Sequence, residues 1–240
     1  MQVRLKVRRY DPKADGTPRY QSYVVDVPDS ATVLDSLVRV QGYVDGSLAL
    51  RYSCRSAVCG SCAMRINGES RLACKTKVRD IAPKGQEVTV EPVSNLPVIK
   101  DLVADMDTFF NKLRQITPYL VPDEAHPPER EYLQEHKRAL YLAQFAACIE
   151  CGVCYSACPI VAVDDEYLGP AALAKAFRYC HDTRDHGQSK RLARLADEQG
   201  LWRCHTVFSC QEACPKGVNP TEAIQQLKKM VILRRLGLSR

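Results

Sequence analysis

Twelve cysteines stand among the 240 residues, and eleven of them fall into spaced groups. The first group is Cys54-x4-Cys59-x2-Cys62-x11-Cys74. Three thiolates on one tight loop, with a fourth returned by a hairpin, can grip two irons, and the x4, x2 spacing is the plant-type 2Fe-2S pattern. Gly60 and the small residues around it let the loop backbone approach inorganic sulfide and offer amide N–H groups to it. A structural zinc site is the alternative, although zinc usually brings two separated C-x2-C knuckles or histidines.

The second half contains Cys148-x2-Cys151-x2-Cys154-x3-Cys158-Pro159, the full bacterial ferredoxin run, and downstream Cys204-x5-Cys210-x3-Cys214-Pro215. Positions 148, 154 and 158 recur 56 residues later as 204, 210 and 214, while the counterpart of Cys151 is Val207. One ligand is missing from the second copy. In two-cluster ferredoxins the last cysteine of each run ligates the other cluster. Cys148, Cys151, Cys154 and Cys214 are therefore expected to hold a 4Fe-4S cluster. Cys158, Cys204 and Cys210 remain, three ligands with an apolar valine where a fourth iron needs a thiolate, and a 3Fe-4S cluster suits them. Cys180 has no partner motif and reads as a plain helix thiol.

Composition narrows the rest. Apolar residues make up 45% of the chain and charged residues 26%, an ordinary globular balance. Cysteine is too sparse for a disulfide scaffold, and no signal peptide is expected from the alternating charged and apolar residues at the N-terminus. Thiols kept without an export signal point to metals or redox chemistry in a reducing compartment. No stretch approaches the roughly 20 apolar residues of a membrane span, so the chain is not expected to cross a bilayer alone. The 34 basic residues exceed the 28 acidic by six, without a block of like charges. Three oxidised clusters with their thiolates carry about −2 each by formal counting, which balances that excess without a nucleic-acid partner.

The positioning elements follow from periodicity. Val3, Leu5 and Val7 alternate with Arg4, Lys6 and Arg8, a half-buried strand, and Tyr23, Val25 and Val27 repeat the pattern after a turn over 11–18, giving a hairpin. Residues 32–40 shift to helical spacing, with Asp29 or Ser30 as N-cap. Met64, Ile66, Asn67-Gly68 and Leu72 read as a second hairpin, and Val88 with Val90 as a closing strand. From about residue 98 the pattern is helical. Leu102, Met106, Phe109, Leu113 and Ile116 share one face of a helix with Asp101 near its N-cap, and further helices are expected over 129–146, 170–180, 190–199 and 220–234. The last has Asn219 as cap, Pro220 at the first position and Glu222 as the capping-box acid. The fold class is α+β, divided at 1–97 and 98–240. Trp202 is expected to pack in the core.

On these motifs the chain closely resembles the iron-sulfur subunits of the succinate dehydrogenase and fumarate reductase family. The resemblance is carried by residues 53–63, 148–159, Gly169-Pro-Ala-Ala172, Arg203-Cys-His205 and residues 214–220. It implies a β-grasp plant-type ferredoxin domain followed by an all-helical bacterial-type domain with two clusters. It also implies an electron path between a flavoprotein subunit and a membrane quinone through 2Fe-2S, 4Fe-4S and 3Fe-4S. The FAD, and the succinate or fumarate chemistry, belong to the flavoprotein partner, since this chain has no G-x-G-x-x-G after a strand. One or more transmembrane anchor subunits complete the quinone site. No catalytic acid, base or nucleophile is expected here. The implied location is the cytoplasmic face of a prokaryotic inner membrane, as a peripheral part of a complex.

The resemblance further places Pro159, His205, Val207 and Lys228 at the quinone pocket. His205 either helps deliver protons, since imidazole titrates near neutral pH, or only packs there. Ubiquinone-linked members often carry aromatic residues after the Cys-Pro, whereas this chain has residues Ile160, Val161, Ala162, Val163 and Asp164. Gln225 and Lys228 on the last helix tilt the expectation toward menaquinone, although Gln225 also suits a solvated face. Two other readings compete: a subunit of a thiol-dependent or heterodisulfide-reductase-like enzyme, whose relatives usually carry extra cysteine-rich segments, and a zinc-stabilised interaction module.

Overall fold

A computed structural model describes residues 1–238 and separates them into two compact units, Met1–Met106 with Ile149–Ala157, and Asp107–Cys148 with 158–238. In the first unit β1 (Gln2–Arg9) and β2 (Arg19–Asp26) form the expected antiparallel hairpin, with Leu5 opposite Tyr23. After α1 (Val33–Tyr43) come the hairpin β3 (Ala63–Ile66) and β4 (Glu69–Leu72), the short α2 (Val78–Ile81) and β5 (Val88–Glu91). The sheet order is β2-β1-β5-β3-β4, with β5 parallel to β1 and antiparallel to β3. Alternation on β1 and β5 sends Val3, Leu5, Val7, Val88 and Val90 inward, where they are buried together with Val33, Leu34, Leu37 and Val40 of α1. The helix is capped by Thr32, whose side chain and that of Asp35 form a reciprocal capping box, rather than by Asp29 or Ser30.

The expected division between residues 97 and 98 falls inside this unit. A small hairpin of β6 (Val98–Lys100) and β7 (Val103–Ala104) replaces the start of the helix read from the apolar spacing. Asp101 turns the hairpin with φ 46° and accepts hydrogen bonds from the backbone N–H of Tyr10 and Ala49, both at 2.9 Å. It also pairs with Arg9 at 3.0 Å. Arg9 continues the inward face of β1 and is buried, and its guanidinium further donates to Asp45 at 2.6 Å, Ser47 at 2.9 Å and the Tyr23 hydroxyl. A buried cation without such partners would cost several kcal/mol, so the network dictates where 98–106 goes, and helical periodicity loses.

The segment 149–157 also belongs to the first unit. It carries α5 (Val153–Ser156), whose Ser156 Oγ lies 2.7 Å from Ser70 Oγ and accepts from Ser94 N at 2.8 Å. Asn95 Nδ2 donates to the carbonyls of Tyr155 and Ser156 at 3.0 and 3.2 Å.

The second unit is helical: α3 (Asp107–Arg114), α4 (His136–Ala146), α6 (Pro159–Val163), α7 (Pro170–Cys180), α8 (Gln188–Leu195), α9 (Ser209–Glu212) and α10 (Pro220–Arg235). α7 is the hub, touching α3, α4, α8 and α10. Its Ala171, Ala172, Ala174 and Ala176 are buried, and such small side chains let neighbouring helices approach. α10 buries Ala223, Ile224, Leu227 and Val231. Both helices begin with proline at a helical N-terminus, and Asn219 Oδ1 accepts from Glu222 N at 2.9 Å as the sequence leads one to expect. α4 starts only at His136, because 129–135 follows two prolines and takes no regular structure. No helix among the described residues is long and apolar enough to cross a membrane.

Candidate metal centres

The loop over residues 52–62 has left-handed residues at Arg55, Ala57 and Gly60, with φ of 56°, 55° and 76°. Such kinks turn successive amides toward one side, the arrangement of an anion-binding nest. Here they converge on sulfur. Ser56, Val58 and Cys59 donate their backbone N–H to Cys54 Sγ at 3.3, 3.3 and 3.2 Å, and Ala57 donates to Cys74 Sγ at 3.2 Å. Cys74 is delivered just beyond β4, and Ala73 N holds that end of the strand to Cys62 O at 3.0 Å. Burial pushes the Cys62 thiol up to about 12, while the Ser61 side chain and the Cys54 N–H bring Cys59 down to about 6. Sulfurs supplied with amide donors fit a 2Fe-2S cluster, which is held by cysteine thiolates. Among the described residues no three His, Cys, Asp or Glu side chains converge as a single metal ion would require.

Gly60 is also where two cysteine loops of the first unit meet. A Cβ added there would stand 2.7 Å from Cys151 Cβ and 3.2 Å from Ile149 O. Only a residue without a side chain permits that approach, and its positive φ reinforces the demand.

The 56-residue repeat is written in the backbone as well as in the cysteines. Glu150 and Gly152 flank Cys151 with φ of 55° and 75°; Thr206 and Phe208 flank Val207 with φ of 58° and 68°. One-turn helices follow at equivalent positions, α5 (Val153–Ser156) and α9 (Ser209–Glu212), ending at Ala157 and Ala213. Cys151 and Cys154 belong to the first unit; Cys148, Cys214 and the remaining cysteines of the second half belong to the second.

Within the second unit a small, solvent-open pocket is lined by Cys158, Cys204 and Cys210, and by Pro159, His205 and Val207. Burial raises the thiols of Cys158 and Cys210, and the backbone N–H groups of Val161 and Ile160 serve the former. His205 is exposed at the rim and Val207 is 53% exposed. Lys228 does not line the pocket: its Nζ donates to Cys204 O at 3.1 Å and lies over the Trp202 ring. Gln225 is not merely solvated, since its amide donates to Thr206 Oγ1 at 2.9 Å. Trp202 is not a core residue; it is 38% exposed and donates from its indole to Ala196 O at 3.0 Å. Cys180 is buried in α7, and burial pushes its thiol up to about 12. Two pocket residues, Tyr167 and Thr221, had no sequence signal, since neither lies in a cysteine motif.

Residues 4–111 match a family described as a 2Fe-2S iron-sulfur cluster binding domain, and residues 144–218 match a 4Fe-4S dicluster domain. The class is therefore that of an iron-sulfur protein built from two ferredoxin-type domains. The fumarate reductase iron-sulfur subunit of Mycobacterium tuberculosis (strain CDC 1551 / Oshkosh) is 44% identical over 225 residues, covering 93% of this chain and 90% of the relative. The subunit of the same description from Haemophilus influenzae is 39% identical, covering 94% and 91%. Among solved structures, a chain of the Mycobacterium smegmatis Sdh1 complex in the apo form superposes with a TM-score of 0.84 at 31% identity, covering 98% of this chain and 97% of that one. The chain belongs to the family of iron-sulfur subunits of fumarate reductase and succinate dehydrogenase.

Proposed function

We propose that this chain relays electrons between the FAD of a succinate- or fumarate-active flavoprotein subunit and a membrane quinone. Its three stations are a 2Fe-2S cluster on Cys54, Cys59, Cys62 and Cys74, a 4Fe-4S cluster on Cys148, Cys151, Cys154 and Cys214, and a 3Fe-4S cluster on Cys158, Cys204 and Cys210. The observation that carries the reading is the pocket of the second unit. Three thiols line it, and Val207 occupies the place where a backbone-equivalent loop elsewhere in the chain has Cys151. The clusters, when bound, supply one-electron transfer, while the chain supplies placement and potential. The amides of 56–59 stabilise thiolate charge at the first station. Gly60 lets that loop touch the backbone of Cys151. Pro159, His205 and Val207 form an open rim suited to the flat ring of a quinone, and Lys228 stands behind it on Cys204 O. Menaquinone is favoured by Gln225 and Lys228 on α10, which resemble the positions that approach it in fumarate-reductase-like members.

Transmembrane anchor subunits would complete that rim, keeping the chain peripheral on the cytoplasmic face of the membrane, with no nucleic-acid partner. The test is EPR and iron and acid-labile sulfide analysis of the anaerobically purified complex. Three distinct centres, one of them a 3Fe-4S signal in the oxidised state, are expected; zinc without sulfide would replace the relay with an interaction module.

A further inference from the structure

Two side chains that no cysteine motif includes form part of the wall of the pocket lined by Cys158, Cys204 and Cys210. Tyr167 is 1% exposed and shares the pocket wall with Cys204, the ligand sulfur its phenol faces. Thr221 is 5% exposed, and its Oγ1 lies 3.6 Å from Cys210 Sγ. Neither hydroxyl reaches its sulfur by accident of a floppy side chain. The buried Lys112 donates Nζ to the carbonyl of Tyr167 at 2.8 Å and to that of Asp165, and Leu168 N donates to Gln199 O at 3.0 Å, so the backbone carrying the phenol is clamped on both sides. Thr221 is in the first turn of α10, which Asn219 caps. All of these residues belong to the second unit.

The chemistry of a ligand thiolate fixes the direction of both bonds. A free thiol can donate S–H to a hydroxyl, but a sulfur bound to iron carries no proton, so the hydroxyl must be the donor. A donor aimed at a ligand sulfur stabilises the more negative state, and each electron added to a cluster increases the charge on its sulfurs. The pocket is largely apolar behind these groups, which strengthens such a bond relative to water.

We propose that Tyr167 and Thr221 are positioning residues that raise the reduction potential of the cluster on Cys158, Cys204 and Cys210 by donating O–H hydrogen bonds to two of its three ligand sulfurs. The inference rests on the relay reading above and assigns to two residues the work of making that cluster the favoured electron acceptor of the chain. Tyr167 has the larger share, because a phenol is the stronger donor and the Thr221 contact is long.

The experiment is an EPR-monitored redox titration of the 3Fe-4S signal in the assembled complex, comparing the unmodified chain with Tyr167→Phe, Thr221→Val and Thr221→Ser. Tyr167→Phe should lower the midpoint, by up to a tenfold change in the reduction equilibrium, about 59 mV for a one-electron couple. Thr221→Val should lower it less, and Thr221→Ser, which keeps the hydroxyl, should restore it. Deuterium exchange of the unmodified complex should give an ENDOR coupling to the cluster that Tyr167→Phe removes. If Tyr167→Phe fails to assemble, the threonine pair and that coupling still decide. A signal of full intensity whose midpoint moves in neither variant overturns the proposal and leaves the relay standing. Absence of any 3Fe-4S signal in the unmodified complex overturns the cluster assignment and the proposal with it.

Discussion

The two copies of the repeat, 150–157 and 206–213, fold the same way and differ in what the shared backbone presents. In the first, the left-handed position after the central residue is Gly152, which takes that conformation without strain and whose missing Cβ leaves room for Met106 Cε. In the second it is Phe208, a residue that pays roughly 1 to 2 kcal/mol for the same φ and leaves its ring 49% exposed. The central residue is a cysteine in one and an exposed valine in the other. Loop conformation is therefore separable from the side chain it presents: one backbone carries a thiol in the first copy and an exposed aliphatic side chain in the second.

The strongest way to break the comparison is Val207→Cys. With the flanking φ values already those of Cys151, the new thiolate should let the site accept a fourth iron. EPR should show the 3Fe-4S signal lost and iron content raised by one per complex. A drop of about 59 mV in the acceptor would shift the equilibrium of that one-electron step about tenfold, and quinone-linked succinate turnover should fall. Turnover with an artificial acceptor at the flavin should hold. A persistent 3Fe-4S signal in a fully assembled variant would mean that loop geometry, rather than the missing thiolate, excludes the iron.

Cys74→Ala addresses the centre that lies outside the repeat. It should abolish the 2Fe-2S signal and leave the 3Fe-4S signal intact, because none of that cluster's proposed ligands belongs to the first unit; simultaneous loss of both in a complex that accumulates normally would show the units to be one cooperative body. Gly60→Ala tests the contact between the cysteine loops of the first unit. Left-handed strain and a 2.7 Å clash with Cys151 Cβ should together destabilise that unit by about 2 to 4 kcal/mol, read as an early calorimetric transition with the 2Fe-2S signal. The smallest effect is expected for Phe208→Gly. Relief of backbone strain offsets the loss of a half-exposed ring, so the melting temperature should move by no more than about 2 to 4 °C. A larger fall would assign the stability of the loop to the ring.

Much of this was legible in the cysteines and periodicities. The spacing of the cysteines, the valine at 207 in the second copy of the repeat, both hairpins and the starts of α7 and α10 all follow from local chemistry, because caps, prolines and two-residue turns act over a few positions. What was not legible depends on distant partners. Asp101 looks like a helix cap until Arg9, some 92 residues earlier in sequence, claims its carboxylate. Nothing near Ser156 announces its bond to Ser70, so the return of 149–157 to the first unit is invisible to a reading that moves along the chain. Tyr167 and Thr221 are ordinary residues in an ordinary pattern, and only the folded pocket brings their hydroxyls to sulfur. Trp202 shows the converse error, a large apolar residue assigned to the core that spends its indole N–H on a surface carbonyl.

The return of 149–157 sets a schedule for synthesis. A ribosome that has released the first 106 residues has made every strand of the sheet but not the partners of Ser70, Ser94 and Asn95, nor the backbone against which Gly60 closes. Those arrive only after the polypeptide of α3 and α4 has emerged. The first unit is therefore completed only when 149–157 has been made, and the side of the cysteine loop at Gly60 closes last.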